Sequence, residues 1–113
     1  MKNDLFSMTE DKDAFHIREE SADEATRFVL KGRVSAQNAT EIEFKLIDAM
    51  EIGKTYIVLD MSRVEYLCST GIRVILKSYK KALGMGGSLK IDKPSESVRN
   101  VLGLTALDEL LFV

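Results

Sequence analysis

The apolar run Tyr56-Ile57-Val58-Leu59 constrains this chain most, because helical periodicity lies on both sides of it. Upstream, Ala39, Ile42, Leu46, Ala49 and Met50 recur three and four residues apart, and Phe44 and Ile47 widen that stripe. Downstream of Thr70, the residues Ile72, Ile75, Leu76, Tyr79, Ala82 and Leu83 share one helical face, while Arg73, Lys77, Lys80 and Lys81 fall elsewhere. Thr55 to Asp60 therefore reads as a central strand covered on both faces, as in a parallel sheet. Strand–helix–strand units of this kind require right-handed crossovers.

The flanking segments extend the pattern. Met1 to Asp13 is polar and charged and reads as a ragged lead-in, with Leu5 and Phe6 as its docking candidates. Phe15-His16-Ile17-Arg18 alternates as a half-buried strand, Glu19 to Ala25 reads as an acidic turn, and Arg27 to Val34 as a second strand forming a hairpin with the first. Gly32 signals a bulge or strand end. Asn38 with Glu41 has the chemistry of an N-cap and its N3 partner, which predicts a helix of about a dozen residues stopped by Gly53. Met61 to Cys68 reads as a loop, and Gly84-Met85-Gly86-Gly87 as a turn. Ser88 to Ile91 reads as a short strand. Pro94 suits a first helical turn, and Val98, Val101 and Leu102 a brief helix closed by Gly103. Leu110 to Val113 is a docked tail or a final strand. The order predicts an α/β fold, a mixed sheet of four or five strands with three to four helices, in one domain over residues 1–113.

Composition excludes several function classes. A net charge of −2 gives no reason to expect nucleic acid or an anionic membrane as partner. One cysteine permits no internal disulfide and suits a reducing cytoplasm. The N-terminus has no signal-peptide hydrophobic region, and no apolar run approaches the roughly 18 residues of a membrane span. With one histidine, His16, and one cysteine, a zinc site is not expected, and no cofactor is implied.

The junction Leu67-Cys68-Ser69-Thr70-Gly71-Ile72 places hydroxyls where a loop enters a helix. There a serine serves as a plain N-cap, or as a place where the backbone tolerates a phosphate. Asp60 either helps to position Ser69 or caps the loop after it. Enzymatic alternatives fail on spacing. A Cys-x₅-Arg phosphatase loop needs arginine at 74, which is Val74, with Arg73 one short. A nucleophile elbow needs glycine at 67, which is Leu67. The glycines at 84–87 come after a helix, the reverse of a phosphate-binding loop. The basic row Arg73, Lys77, Lys80 and Lys81 reads as a solvated helix face.

The stretch Ile57 to Ser62 with Leu67-Cys68-Ser69-Thr70-Gly71-Ile72 resembles the signature of STAS domains, the group that contains bacterial anti-sigma factor antagonists. Gly32-Arg33-Val34-Ser35-Ala36-Gln37-Asn38-Ala39 resembles the family's segment before its first helix. Pro94 to Leu102, with Leu104 to Asp108, resembles its C-terminal helix and the segment after that helix. The resemblance covers nearly everything from Phe15 onward. It implies a non-enzymatic switch: the unphosphorylated protein binds an anti-sigma factor serine kinase and frees a sigma factor. The kinase, using ATP that it binds itself, then phosphorylates the serine matching Ser69, and a serine phosphatase restores binding. The implied partner surface comprises Ser35, Ser62, Cys68, Ser69, Thr70, Gly71 and Arg73, on a cytoplasmic monomer or weak dimer. Two positions depart from the family: Cys68 stands where an acidic residue usually precedes the acceptor, and Ser35 where Asp is frequent. They favour, as the alternative, a non-phosphorylated STAS scaffold subunit of a signalling or transporter-associated complex.

Overall fold

The computed structural model describes residues 14–22, 24–104 and 107–113. The predicted lead-in, with Leu5 and Phe6, lies outside the described residues. Among those described, the elements run β1 (His16–Ala22), β2 (Ala25–Val34), α1 (Ala36–Glu51), β3 (Tyr56–Leu67), α2 (Ser69–Gly84), β4 (Ser88–Asp92), α3 (Glu96–Leu104) and α4 (Asp108–Leu111). The described strands form one mixed sheet in the order β1-β2-β3-β4. β1 and β2 are antiparallel, whereas β2–β3 and β3–β4 are parallel. The hairpin, the two crossover helices and the central position of the apolar run match the sequence expectation. No described helix is long and apolar enough to cross a membrane.

The sheet buries one face. Thr26, Phe28 and Leu30 on β2 and Ile57, Leu59 and Met61 on β3 point into the core, with the intervening residues only half-buried. This corrects the expectation of a strand covered on both faces: the run looked uniformly apolar because Tyr56 and Val58, on the open face, are also hydrophobic. Ala39, Ile42, Leu46, Ala49 and Met50 of α1 and Val74, Ile75, Ser78 and Ala82 of α2 close the core. Ile72 and Tyr79 pack partly against it. Phe44 and Leu83, expected within the helical stripes, are instead 64% and 50% exposed.

Several boundaries move. β1 continues to Ala22, pairing the supposed turn residues Glu19, Glu20 and Ser21 with Phe28, Arg27 and Thr26. α1 begins at Ala36 and is 16 residues long, because Ser35 rather than Asn38 is its N-cap. Gly53, at φ 95°, donates its N–H to Met50 O and stops α1 as expected. Pro94 precedes α3, whose first turn is capped by Ser95 Oγ accepting from Val98 N, and α3 runs past Gly103 to Leu104. The C-terminus is both helical and bridged: after α4 comes a parallel bridge between Phe112 and Ile91.

The largest difference is that most of the predicted loop Met61–Cys68 is strand. Val29 faces Asp60 while Lys31 faces Arg63, and Gly32 faces Val64 while Arg33 faces Tyr66, so β3 carries one extra residue at each of two bulges. Each bulge breaks the period-two burial pattern, leaving Ser62-Arg63 and Glu65-Tyr66 exposed in pairs. Gly32, at φ 104°, lies on β2 at the second bulge, in a conformation that glycine adopts readily.

Candidate functional site

The ends of β2 and β3 set side by side the starts of α1 and α2. Val34 and Leu67 are register partners, and the next backbone bond, Cys68 N to Val34 O at 3.1 Å, ties the two caps together. Ser35 has extended backbone at φ −86° and ψ 175°, and its Oγ accepts from Asn38 N at 3.3 Å. Asn38 in turn donates through Nδ2 to Arg33 O at 2.7 Å. Cys68 does the same for α2: φ is −80°, ψ is 169°, and Sγ accepts from Gly71 N at 3.3 Å. The plain-cap reading of Ser69 is thereby corrected, since the cap is Cys68 and Ser69 is the first helical residue.

Capping by Cys68 leaves the Ser69 side chain exposed, and among the described residues its hydroxyl makes no hydrogen bond. Thr70 is half-buried and Arg73 is exposed. Gly71 is buried against the strand ends, where an added Cβ would lie 2.8 Å from Leu67 Cδ1 and 3.0 Å from Val34 Cγ1. A glycine here lets the first turn of α2 settle directly onto the sheet. Beside the caps, on the open side, the Arg33 guanidinium stacks over the Tyr66 ring at 4.6 Å. Sequence reading missed this pair, because the bulge that brings Arg33 opposite Tyr66 conceals their register.

Ser35, Cys68, Ser69, Thr70, Gly71 and Arg73 thus gather at one end of the sheet. Ser62 does not: it lies five strand residues before Leu67, about 16 Å at the usual rise. Asp60 is two strand residues further away and does not position Ser69. Its Oδ1 accepts from Ser62 N at 3.1 Å and from Ser62 Oγ at 2.8 Å, which is the local capping alternative.

Asp60 also belongs to a second cluster. Arg27 Nη2 donates to Asp60 Oδ2 at 2.8 Å and to Asp92 Oδ2 at 2.9 Å. Asp60 and Asp92 are direct cross-strand partners, so the guanidinium separates two carboxylates that would otherwise repel. Burial alone would raise the Asp60 pKa. The Ser62 N–H and hydroxyl and the Arg27 guanidinium outweigh it together, and the carboxyl is held below its ordinary range. The Arg27 guanidinium, donating first to the Asp60 carboxylate and then to that of Asp92, is held above its ordinary value. The cluster floors a hollow of about 880 Å³ on the open face, which Lys31, Arg63 and Lys93 also line. Nothing in the sequence singled out Arg27 or Asp92. Among the described residues no group of three or more His, Cys, Asp or Glu side chains is arranged to hold a metal ion.

Comparison with known proteins matches residues 16–113 to the STAS domain family model. BtrV of Bordetella bronchiseptica, a candidate anti-sigma factor antagonist, is 32% identical over 76 residues, covering 67% of this chain and 66% of that protein. The anti-sigma-B factor antagonist of Bacillus subtilis is 27% identical over 82 residues, 73% of this chain and 74% of that one. Among solved structures, the anti-sigma factor antagonist SpoIIAA in its unphosphorylated form superposes with a TM-score of 0.75 at 22% identity, covering 88% of this chain and 86% of its own. The phosphorylated form of SpoIIAA, from Bacillus, gives 0.70 at 21%, covering 88% and 89%. With the signature on adjoining strand ends, the same sheet and helices, and a family match over nearly its whole described length, the chain belongs to the STAS domain family.

Proposed function

We propose that this chain is an anti-sigma factor antagonist: it binds an anti-sigma factor that is also a serine kinase, frees the sigma factor, and is released when Ser69 is phosphorylated. One observation carries the reading. Ser69 presents an exposed hydroxyl at the head of α2 while Cys68 makes the capping bond, so modifying Ser69 removes no interaction of the fold. In the transfer, the Ser69 Oγ–phosphorus bond forms and the bond from the γ-phosphorus to the bridging oxygen of partner-bound ATP breaks. ADP leaves, and the hydroxyl proton passes to a base of the kinase. A serine phosphatase reverses the state by hydrolysis. The names of the relatives support the antagonist role. SpoIIAA is known in both unphosphorylated and phosphorylated forms, and both share this fold.

The partner face comprises Ser35, Cys68, Ser69, Thr70 and Arg73. Gly71 acts from beneath by letting α2 approach. Ser62 joins only if the partner reaches about 16 Å along β3. A phosphate adds about −1.5 to −2 charges at pH 7 in that face, and a loss of about 3 kcal/mol there is roughly a hundredfold in affinity. The neutral residues Ser35 and Cys68, where the resemblance leads one to expect acids, favour the scaffold alternative.

Tagged wild-type and Ser69→Asp proteins used as bait in native extract, read by mass spectrometry, decide between the two. Wild type should retain an ATP-binding serine kinase, and the Asp form should lose it at least about tenfold. If both forms retain one and the same non-kinase assembly, the switch is wrong and the scaffold reading replaces it.

A further inference from the structure

We infer that Arg73 is the counter-ion of a phosphate on Ser69, and that the same guanidinium serves an acidic group of the partner while Ser69 is unmodified. This deepens the switch proposed above and rests on it for its regulatory meaning, although the pairing itself depends only on the chain's geometry.

Ser69 and Arg73 are both exposed and lie four residues apart within α2. That spacing puts two side chains on one face with Cβ atoms about 5–6 Å apart, and an anion N-terminal to a cation is its favoured orientation. Arg73 is also the cation at hand. Arg33 is stacked on Tyr66, and Lys77, one turn further along α2, is held by Glu43 of α1 at 2.7 Å. Among the described residues Arg73 makes no ion pair or hydrogen bond. The neighbouring elements contribute Glu41 and Glu43 from the early turns of α1, Arg33 from β2 and Glu65 from β3. Glu43 is already bonded to Lys77, so it does not compete for Arg73.

An exposed guanidinium beside the acceptor hydroxyl suits a carboxylate of the partner, and arginine is enriched among residues that dominate interfaces. Once Ser69 is phosphorylated, the planar fork of Arg73 meets a dianion within its own helix, and arginine–phosphate pairs are commonly bidentate. Phosphorylation then does two things at once: it adds negative charge to the face and withdraws the cation that the partner used.

The test installs phosphoserine at position 69 of the full chain by genetic encoding, so that no kinase is needed. ³¹P NMR then tracks the second phosphate ionisation from about pH 4.5 to 8, around its usual value of about 6. Wild type should ionise about 0.2–0.4 of a pH unit below Arg73→Gln. Arg73→Lys should restore most of the difference, and salt near 1 M should shrink it. Superimposable wild-type and Arg73→Gln curves would overturn the pairing. For the unphosphorylated protein, Arg73→Gln should weaken the complex with the captured kinase about tenfold, and unchanged affinity would overturn the partner role of Arg73. Failure to capture any kinase overturns the antagonist reading instead, and leaves the titration result as it stands.

Discussion

Gly71 joins the fold to the candidate site, and Gly71→Ala perturbs both by a predictable amount. The new Cβ would meet Leu67 Cδ1 at 2.8 Å and Val34 Cγ1 at 3.0 Å. Relaxed carbon–carbon contacts lie at about 3.5–4.0 Å, so these fall short by roughly 0.5–0.7 Å. Both neighbours are buried, so a shift of either one disturbs the packing around it. Val34 is 0% and Leu67 3% exposed, and a β-branched valine leaves its rotamer only at a cost. Overpacking of this kind costs about 1–3 kcal/mol. Against it stands the helix preference of alanine over glycine, at most about 1 kcal/mol. The net expectation is a loss of about 1–2 kcal/mol, or roughly 5–10 °C in Tm for a domain of this size. Urea unfolding monitored by far-UV circular dichroism measures it. Gly84→Ala is the control, since nothing lies within 4 Å of its added Cβ and that variant should be no less stable than wild type. A double-mutant cycle identifies the cause: Leu67→Ala should cost less in the Gly71→Ala background than alone, because the truncated side chain vacates the space the new methyl needs. If Gly71→Ala proves as stable as wild type, helix propensity outweighs the steric term and the first turn of α2 is not seated on the strand ends.

Two further expectations concern the caps and the acid limb of stability. Ser35→Ala should lower stability by about 1 kcal/mol through loss of an N-cap acceptor and Cys68→Ala by less, because a thiol sulfur is a weak acceptor, whereas Cys68→Ser, which puts a stronger acceptor in the same place, should be at least as stable as wild type; thermal unfolding of the three variants checks this. Asp60 binds its proton at lower pH in the folded protein than in the unfolded chain, where the value is near 3.9. Its stabilisation is therefore fully present above about pH 4 and lost as pH falls through the folded value. Asp60→Asn should flatten stability against pH in that acid range, and parallel wild-type and variant curves there would contradict the hydrogen-bond account.

Much of the fold was legible because it is written in helical periods. The stripes of α1 and α2 place buried residues three and four apart, and an apolar run between two such helices leaves few topologies open. The second half of β3 was not legible, and the reason is local. Alternation is the signal of a strand, and the two bulges interrupt it at Ser62-Arg63 and Glu65-Tyr66, so a paired strand reads as a polar loop. The caps were misassigned for chemical reasons. Ser35 and Asn38 are both good cap residues, and only the extended backbone of Ser35 decides between them. At α2 the hydroxyl of Ser69 looked the better acceptor, yet the thiol of Cys68 occupies the cap position. The Arg27 cluster was out of reach, since its partners are 33 and 65 residues away and meet only through the register of three strands.

The division of labour within four consecutive residues explains how a charge can be added here without unfolding the domain. Cys68 satisfies the otherwise unpaired N–H of Gly71, and Gly71 seats the turn on Val34 and Leu67. Both tasks of stability are therefore discharged by residues on either side of Ser69, whose side chain is exposed to solvent. A serine that was itself the cap would lose its bond to the helix when modified, and phosphorylation would then act on the fold as well as on the partner. Placing the cap one residue earlier separates the two effects: substitution at 71 reports on stability, substitution at 68 on stability and the proposed partner face together, and those at 69 and 73, on the proposal above, on binding. That separation is the physical requirement for a switch that alternates between partners and survives each change of state.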